Sequence, residues 1–91
     1  MTDEWDKVSY VISSRYRVAT LDRLQVGPAT PSRIATDTDL TIAHVSRALQ
    51  ELQEEGLVTL LVSEDRRKGR VYGMTEQGDT VIETIQAENM V

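Results

Sequence analysis

The periodicity of the chain changes at Gly56. Before it, Ile42, Val45, Leu49 and Leu52 recur at helical spacing; at 100° per residue they share an arc of about 80° that is expected to face a core. After it, Leu57-Val58-Thr59-Leu60-Leu61-Val62-Ser63 is apolar and β-branched, and too short to compete as a helix. The helix opens at Thr41, a good N-cap, with Leu40 before it placed to pack on Val45. It closes at Glu54-Glu55-Gly56, where glycine supplies a left-handed cap without steric cost. A charged stretch containing Gly69 then leads to Val71-Tyr72-Gly73-Met74, which predicts a β-hairpin over residues 57–75. Thr75-Glu76 caps a last helix over 76–90, with Val81, Ile82 and Ile85 as its apolar stripe.

Upstream, apolar residues at 5, 8, 11, 12, 16, 18, 21 and 24 predict helix across residues 3–25. Ser13-Ser14 in its middle is a poor helix interior and a good N-cap, which leaves open one bent helix or two. Val26-Gly27-Pro28 ends that segment. Thr30-Pro31 opens another helix, with threonine as cap and proline at the first helical position. That helix is short, because Asp37-Thr38-Asp39 follows closely. The order is therefore helical segment, short helix, helix, hairpin, helix. Residues 30–55 form a helix-turn-helix and the hairpin is a wing. The fold class expected is a winged helix-turn-helix, mainly α with a small β-hairpin, in one domain over residues 1–91, since 91 residues do not build two cores.

Composition removes several functions. There is no cysteine and a single histidine, His44, which excludes disulfides, thiolate zinc sites and cysteine nucleophiles. No nucleophile–base pair can be assembled and the chain is too small to enclose an active site, so neither an enzyme nor a bound cofactor nor a metal site is expected. No apolar run is long enough to span a membrane. The opening Met1-Thr2-Asp3-Glu4-Trp5-Asp6 lacks the layout of a signal peptide, and a cytoplasmic location is expected.

The formal net charge is −5, which by itself argues against a nucleic-acid partner. Its distribution argues otherwise. Four of the ten basic residues, Arg66, Arg67, Lys68 and Arg70, fall within the seven residues 64–70. That is a denser cluster than a soluble turn needs.

The helix after Thr41 is expected to read DNA. Ala43, His44, Arg47 and Gln50 lie on its outer face toward the N-terminal half, where side chains reach base edges and the helix dipole favours phosphate. Glu51, Glu54 and Glu55 gather at the other end. Arg47 is the best base reader, because its planar fork matches guanine O6 and N7. His44 is suited to a base or a phosphate, Ala43 to a thymine methyl, and Thr41 and Ser46 to phosphates. Arg33, on the short helix, is expected to grip the backbone, and the wing cations Arg66, Arg67, Lys68 and Arg70 to meet phosphates or the minor groove. Trp5 and Tyr72 are expected to pack rather than to stack on bases. Trp5, Val8 and Ile12 with Val81, Ile82 and Ile85 are expected to supply an apolar surface for a homodimer.

The runs Ser14-Arg15-Tyr16-Arg17, Gly27-Pro28-Ala29-Thr30-Pro31-Ser32-Arg33-Ile34-Ala35, His44-Val45-Ser46-Arg47-Ala48-Leu49-Gln50-Glu51-Leu52, Glu55-Gly56-Leu57-Val58, Lys68-Gly69-Arg70-Val71-Tyr72 and Thr75-Glu76-Gln77-Gly78 resemble archaeal winged-helix transcriptional regulators of the MarR/ArsR-like kind, from about residue 8 to 86. The acidic, lysine-poor, phenylalanine-free composition is similar to that of proteins from salt-adapted archaea. The resemblance implies a homodimer joined through terminal helices on double-stranded DNA, with Thr41, Ala43, His44, Ser46 and Arg47 in the major groove and the wing, residues 66–70, in the flanking groove. The chain lacks the long dimer helices and pocket of larger MarR proteins and the cysteine sites of ArsR repressors, so no small-molecule effector is expected. The competing expectation is a winged-helix protein-interaction module that does not bind DNA; in it the basic residues would be scattered instead of sharing a face.

Overall fold

The structure, a computed structural model, describes residues 4–62 and 69–88, with the side chain of Glu4 excepted. Helix α1 runs over Glu4–Ile12 and α2 over Arg15–Leu24, followed by α3 (Pro31–Thr38) and α4 (Ile42–Glu54). Strands β1 (Val58–Val62) and β2 (Val71–Met74) precede α5 (Glu76–Ala87). This is a helix-turn-helix followed by a two-stranded wing, the expected fold.

The caps are the ones the sequence indicates. Thr30, Thr41 and Thr75 each take an extended conformation and accept a backbone N–H three residues on, from Arg33, His44 and Gly78. The choice at Ser13-Ser14 resolves as two helices. Ser14 has φ −140° and its side chain accepts from the Arg17 N–H, so it starts α2 instead of bending one long helix. Helix α3 ends on Asp39 at φ 61°, one of the few side chains that tolerate the left-handed region. Gly56 at φ 77° turns the chain from α4 into β1.

The strands are antiparallel, with Val58 opposite Met74, Thr59 opposite Gly73 and Leu60 opposite Tyr72. A bulge at Leu61 precedes the pair Val62 and Val71. Ala29, between α2 and α3, adds a rung on the other side of β2. Its N–H donates to the Tyr72 carbonyl at 3.0 Å, and its own carbonyl accepts from the Tyr72 N–H at 2.9 Å. The base of the wing is thereby tied to the helix-turn-helix.

One core cluster draws on every element: Val8 and Val11 from α1, Leu21 and Leu24 from α2, Ile34 from α3, Val45, Leu49 and Leu52 from α4, Leu57 and Val58, Tyr72, and Val81, Ile82 and Ile85 from α5. Each fully buried aliphatic side chain here contributes about 1.5–3 kcal/mol. The first turn of α5 packs hard on the start of β1. A Cβ at Gly78 would stand 2.1 Å from the Leu57 carbonyl oxygen, so glycine is required there by contact rather than by backbone angle.

Three expectations about apolar residues are corrected. Val8, Val81, Ile82 and Ile85, expected on a pairing surface, are all at or below 1% exposure in the core of the single chain. Of the six residues proposed for pairing, Trp5 and Ile12 remain on the outside. Trp5, expected to pack, is 52% exposed. Ile42, expected to face the core, is 53% exposed: its angle on the helix is right but its axial position is not, because it is the first residue of α4 and the buried stripe begins one turn later, at Val45.

Candidate functional site

Helix α4 is amphipathic from Val45 onward. Val45, Ala48, Leu49 and Leu52 are buried, and Thr41, Ala43, His44, Ser46, Arg47 and Gln50 are exposed. Two open clefts flank this outer face, and Arg47 borders both.

The larger cleft, of about 590 Å³, is lined by Pro31 of α3, Ser46, Arg47, Gln50 and Gln53 of α4, and Arg70 and Tyr72 at the wing. Helix α4 and the wing therefore meet here: three of the α4 residues expected at DNA share a concave surface with one of the wing cations. Tyr72, which lines the cleft, is buried and held by the two backbone bonds to Ala29. Arg66, Arg67 and Lys68 lie outside the described residues.

The smaller cleft, of about 260 Å³, lies between α2 and α4 and is lined by Ser14, Tyr16, Arg17, His44, Arg47, Ala48 and Glu51. The His44 ring stacks on Tyr16 with centroids 4.1 Å apart and planes 14° from parallel. Its Nδ1 lies 3.0 Å from the Thr41 hydroxyl, the same oxygen that accepts the His44 backbone N–H. The cap residue thus also restrains the imidazole. The Arg15 guanidinium sits 5.0 Å from the Tyr16 ring centroid.

Arg17 is embedded beside this stack. Its Nε donates to Glu51 Oε1 at 3.0 Å. Its Nη1 donates to the Tyr10 carbonyl at 2.7 Å and to Ser13 Oγ at 2.9 Å, and its guanidinium lies 3.8 Å from the Tyr10 ring centroid. Burial raises the Tyr10 phenol above its ordinary value, against the lowering effect of Arg17. Glu51 also pairs with Arg47, whose Nε is 3.5 Å from Oε2.

Arg33 stands apart, lining neither cleft. It is exposed and pairs with Asp37 at 3.1 Å, while Arg23 of α2 holds the same Asp37 oxygen at 2.8 Å. Hydrogen bonds from Arg23, then Arg33, hold the Asp37 carboxyl below its ordinary range.

Tyr16, Arg17 and Arg15 were not singled out as site residues from the sequence. The signal available was the alternation of basic and aromatic residues directly after a capping serine. What the sequence hides is that Tyr16 and Arg17 meet His44 and Glu51, far along the chain on α4. Glu51, assigned by sequence to the acidic end of the helix, is instead half-buried between two arginines. Among the described residues, no group of three or more His, Cys, Asp or Glu side chains is placed to hold a metal ion, and no helix is long and apolar enough to cross a membrane.

Residues 5–89 match the family described as HVO_A0261 N-terminal domain. A search of curated proteins finds no match. Among solved structures, the fold is similar to a MarR family transcription regulator, SP03579, at 26% identity and TM-score 0.76, covering 85% of this chain and 52% of that one. It is similar to the ZitR C30AH42A mutant of Lactococcus lactis at 22% identity and TM-score 0.74, covering 85% and 53%. RV1404 of Mycobacterium tuberculosis matches at 18% identity and TM-score 0.73, covering 88% and 59%. The chain spans little more than half the length of these structures. The fold is that of the MarR-type winged helix.

Proposed function

The chain belongs to the family of the HVO_A0261 N-terminal domain, and we propose from this and its MarR-type fold that it is a sequence-specific DNA-binding transcriptional regulator, not an enzyme. Helix α4 enters the major groove by its N-terminal half. Arg47 reads guanine through its fork, Gln50 suits adenine, and Ala43 meets a thymine methyl. Thr41, Ser46 and His44 hold phosphates or base edges, and Arg33 grips the backbone from α3. The wing, through Arg70 at the loop end of β2 and Arg66, Arg67 and Lys68 just before it in sequence, meets the flanking phosphates or minor groove.

The observation that carries this reading is the shared cleft of Ser46, Arg47, Gln50 and Arg70. A protein-interaction module has no need to bring a helix cation and a wing cation to one concave surface; a duplex binder does.

Pairing of two copies belongs to the same reading. Trp5 and Ile12, seven residues apart on the outer side of α1, are large apolar side chains exposed at 52% and 39%. A two-fold dimer formed there would present recognition helices about 34 Å apart, one helical turn of DNA, on a pseudo-palindromic site. The net charge of −5 fits the cytoplasm of a salt-adapted archaeon, where screening shortens to about 3 Å at 1 M salt and specificity rests on close fit.

Selection from a random DNA pool, followed by mobility shifts at several salt concentrations, tests this reading. The expected result is an enriched, two-fold related motif with half-sites one turn apart. A pool that shows no enrichment, with no shift of any duplex, would contradict it.

A further inference from the structure

Glu51 is shared between two arginines of unequal freedom. The Arg17 side chain is 16% exposed and Arg47 is 81% exposed, while Glu51 between them is 27% exposed. Arg17 is fixed from three sides: by the Tyr10 carbonyl and Ser13 Oγ at the end of α1, by the face of the Tyr10 ring, and by Glu51 Oε1. Its Nε donates to one carboxylate oxygen, Oε1, and the second oxygen, Oε2, lies 3.5 Å from Arg47 Nε.

Two consequences follow from this arrangement. A long, exposed arginine samples many rotamers, and a fixed carboxylate one turn away on the same helix narrows that set. The contact engages Nε rather than the two terminal nitrogens. In addition, a carboxylate on a groove-facing helix repels phosphate; pairing with an embedded guanidinium offsets that charge.

We propose that Arg17 and Glu51 are positioning residues for Arg47, and that they set base preference without touching the duplex. The inference rests on the reading of Arg47 as a base reader given above. It makes the end of α1 part of the specificity apparatus, because Tyr10 and Ser13 hold the arginine that holds the carboxylate.

The test compares E51Q and R17K in the full chain. Dissociation constants are measured for the duplex selected by the unsubstituted protein and for a scrambled duplex of equal composition, and melting temperature is recorded separately. E51Q keeps one oxygen for Arg17 and loses the charge that faces Arg47. R17K keeps the charge and loses the planar fork. Both are expected to lower the preference for the selected duplex by about fivefold or more, the lower end of what one good base contact contributes. Scrambled-duplex binding should hold in R17K and hold or tighten in E51Q, which sheds a negative charge. Wild-type preference in either variant would overturn the proposal, as would equal losses on both duplexes that follow the melting temperature, the signature of a purely structural role. Absence of duplex binding by the unsubstituted protein would overturn the functional reading, and this inference with it.

Discussion

The imidazole of His44 lies flat on the phenol ring of Tyr16, 4.1 Å away and 14° from parallel. The contact joins the first turn of α2 to the first turn of α4, at the end of the helix that would enter the groove.

Because His44 is the single histidine, its ring protons are identifiable by NMR without assignment work. The Tyr16 ring current should shift them upfield. Tyr16→Leu is expected to abolish that shift and to weaken duplex binding several-fold, in keeping with about 0.5–1.5 kcal/mol for an aromatic pair. Tyr16→Phe should retain both. Unchanged His44 signals in the leucine variant would show that the rings do not stack in solution.

Gly78→Ala places a methyl group 2.1 Å from the Leu57 carbonyl oxygen and 2.9 Å from Met74 Cγ. Met74 has rotamers with which to move; the backbone oxygen does not. A loss of about 1–3 kcal/mol or more is expected, read by chemical denaturation, against near-neutrality for Gln77→Ala on the exposed face beside it. Wild-type stability in Gly78→Ala would mean that α5 is not seated on β1 as described.

Thr75 does two jobs at the same junction. Its oxygen accepts the Gly78 N–H at 3.0 Å and its hydroxyl donates to the Gly56 carbonyl at 2.7 Å. Thr75→Val should cost about 1–2 kcal/mol, and Thr75→Ser should recover most of it in the same denaturation assay.

Asp37 is held below its ordinary value of 3.8 by hydrogen bonds from Arg23 and Arg33. A carboxyl whose folded value is depressed stabilises the fold in full above its unfolded value, and that contribution is lost as pH falls below it toward the folded value. Asp37→Asn should therefore melt below the wild type at neutral pH, with the gap closing below about pH 4. A gap that persists in acid would assign the effect to packing rather than charge.

Much of this architecture was legible because local chemistry marks element ends. Thr30, Thr41 and Thr75 cap helices as their hydroxyls permit, and the change of period at Gly56 announces the wing. Tertiary placement was less legible. Val81, Ile82 and Ile85 form an apolar stripe that serves either a core or a partner, and nothing in the spacing says which; the structure gives them to the core. Ile42 shows that a helical wheel fixes an angle and not a depth. Arg17 and Glu51 were opaque for a different reason: an ion pair across 34 positions leaves no local pattern, and a glutamate near the C-terminal end of a helix reads as solvated surface until its neighbour is seen. Of the cations expected at a duplex, Arg47 and Arg70 line one cleft, Arg33 lines neither cleft and pairs with Asp37 while staying exposed, and Arg66, Arg67 and Lys68 lie outside the described residues.

The central claim, that the surface joining α4 to the wing binds and reads a duplex, is tested most directly by dissociation constants of the wild type, Arg47→Ala and Arg70→Ala for the selected and the scrambled duplex across a salt series. Arg47→Ala should collapse the preference between the two duplexes and leave scrambled binding largely in place. Arg70→Ala should weaken both duplexes alike and reduce the salt slope by about one. Equal loss on both duplexes in Arg47→Ala, or no effect of either substitution, would contradict it.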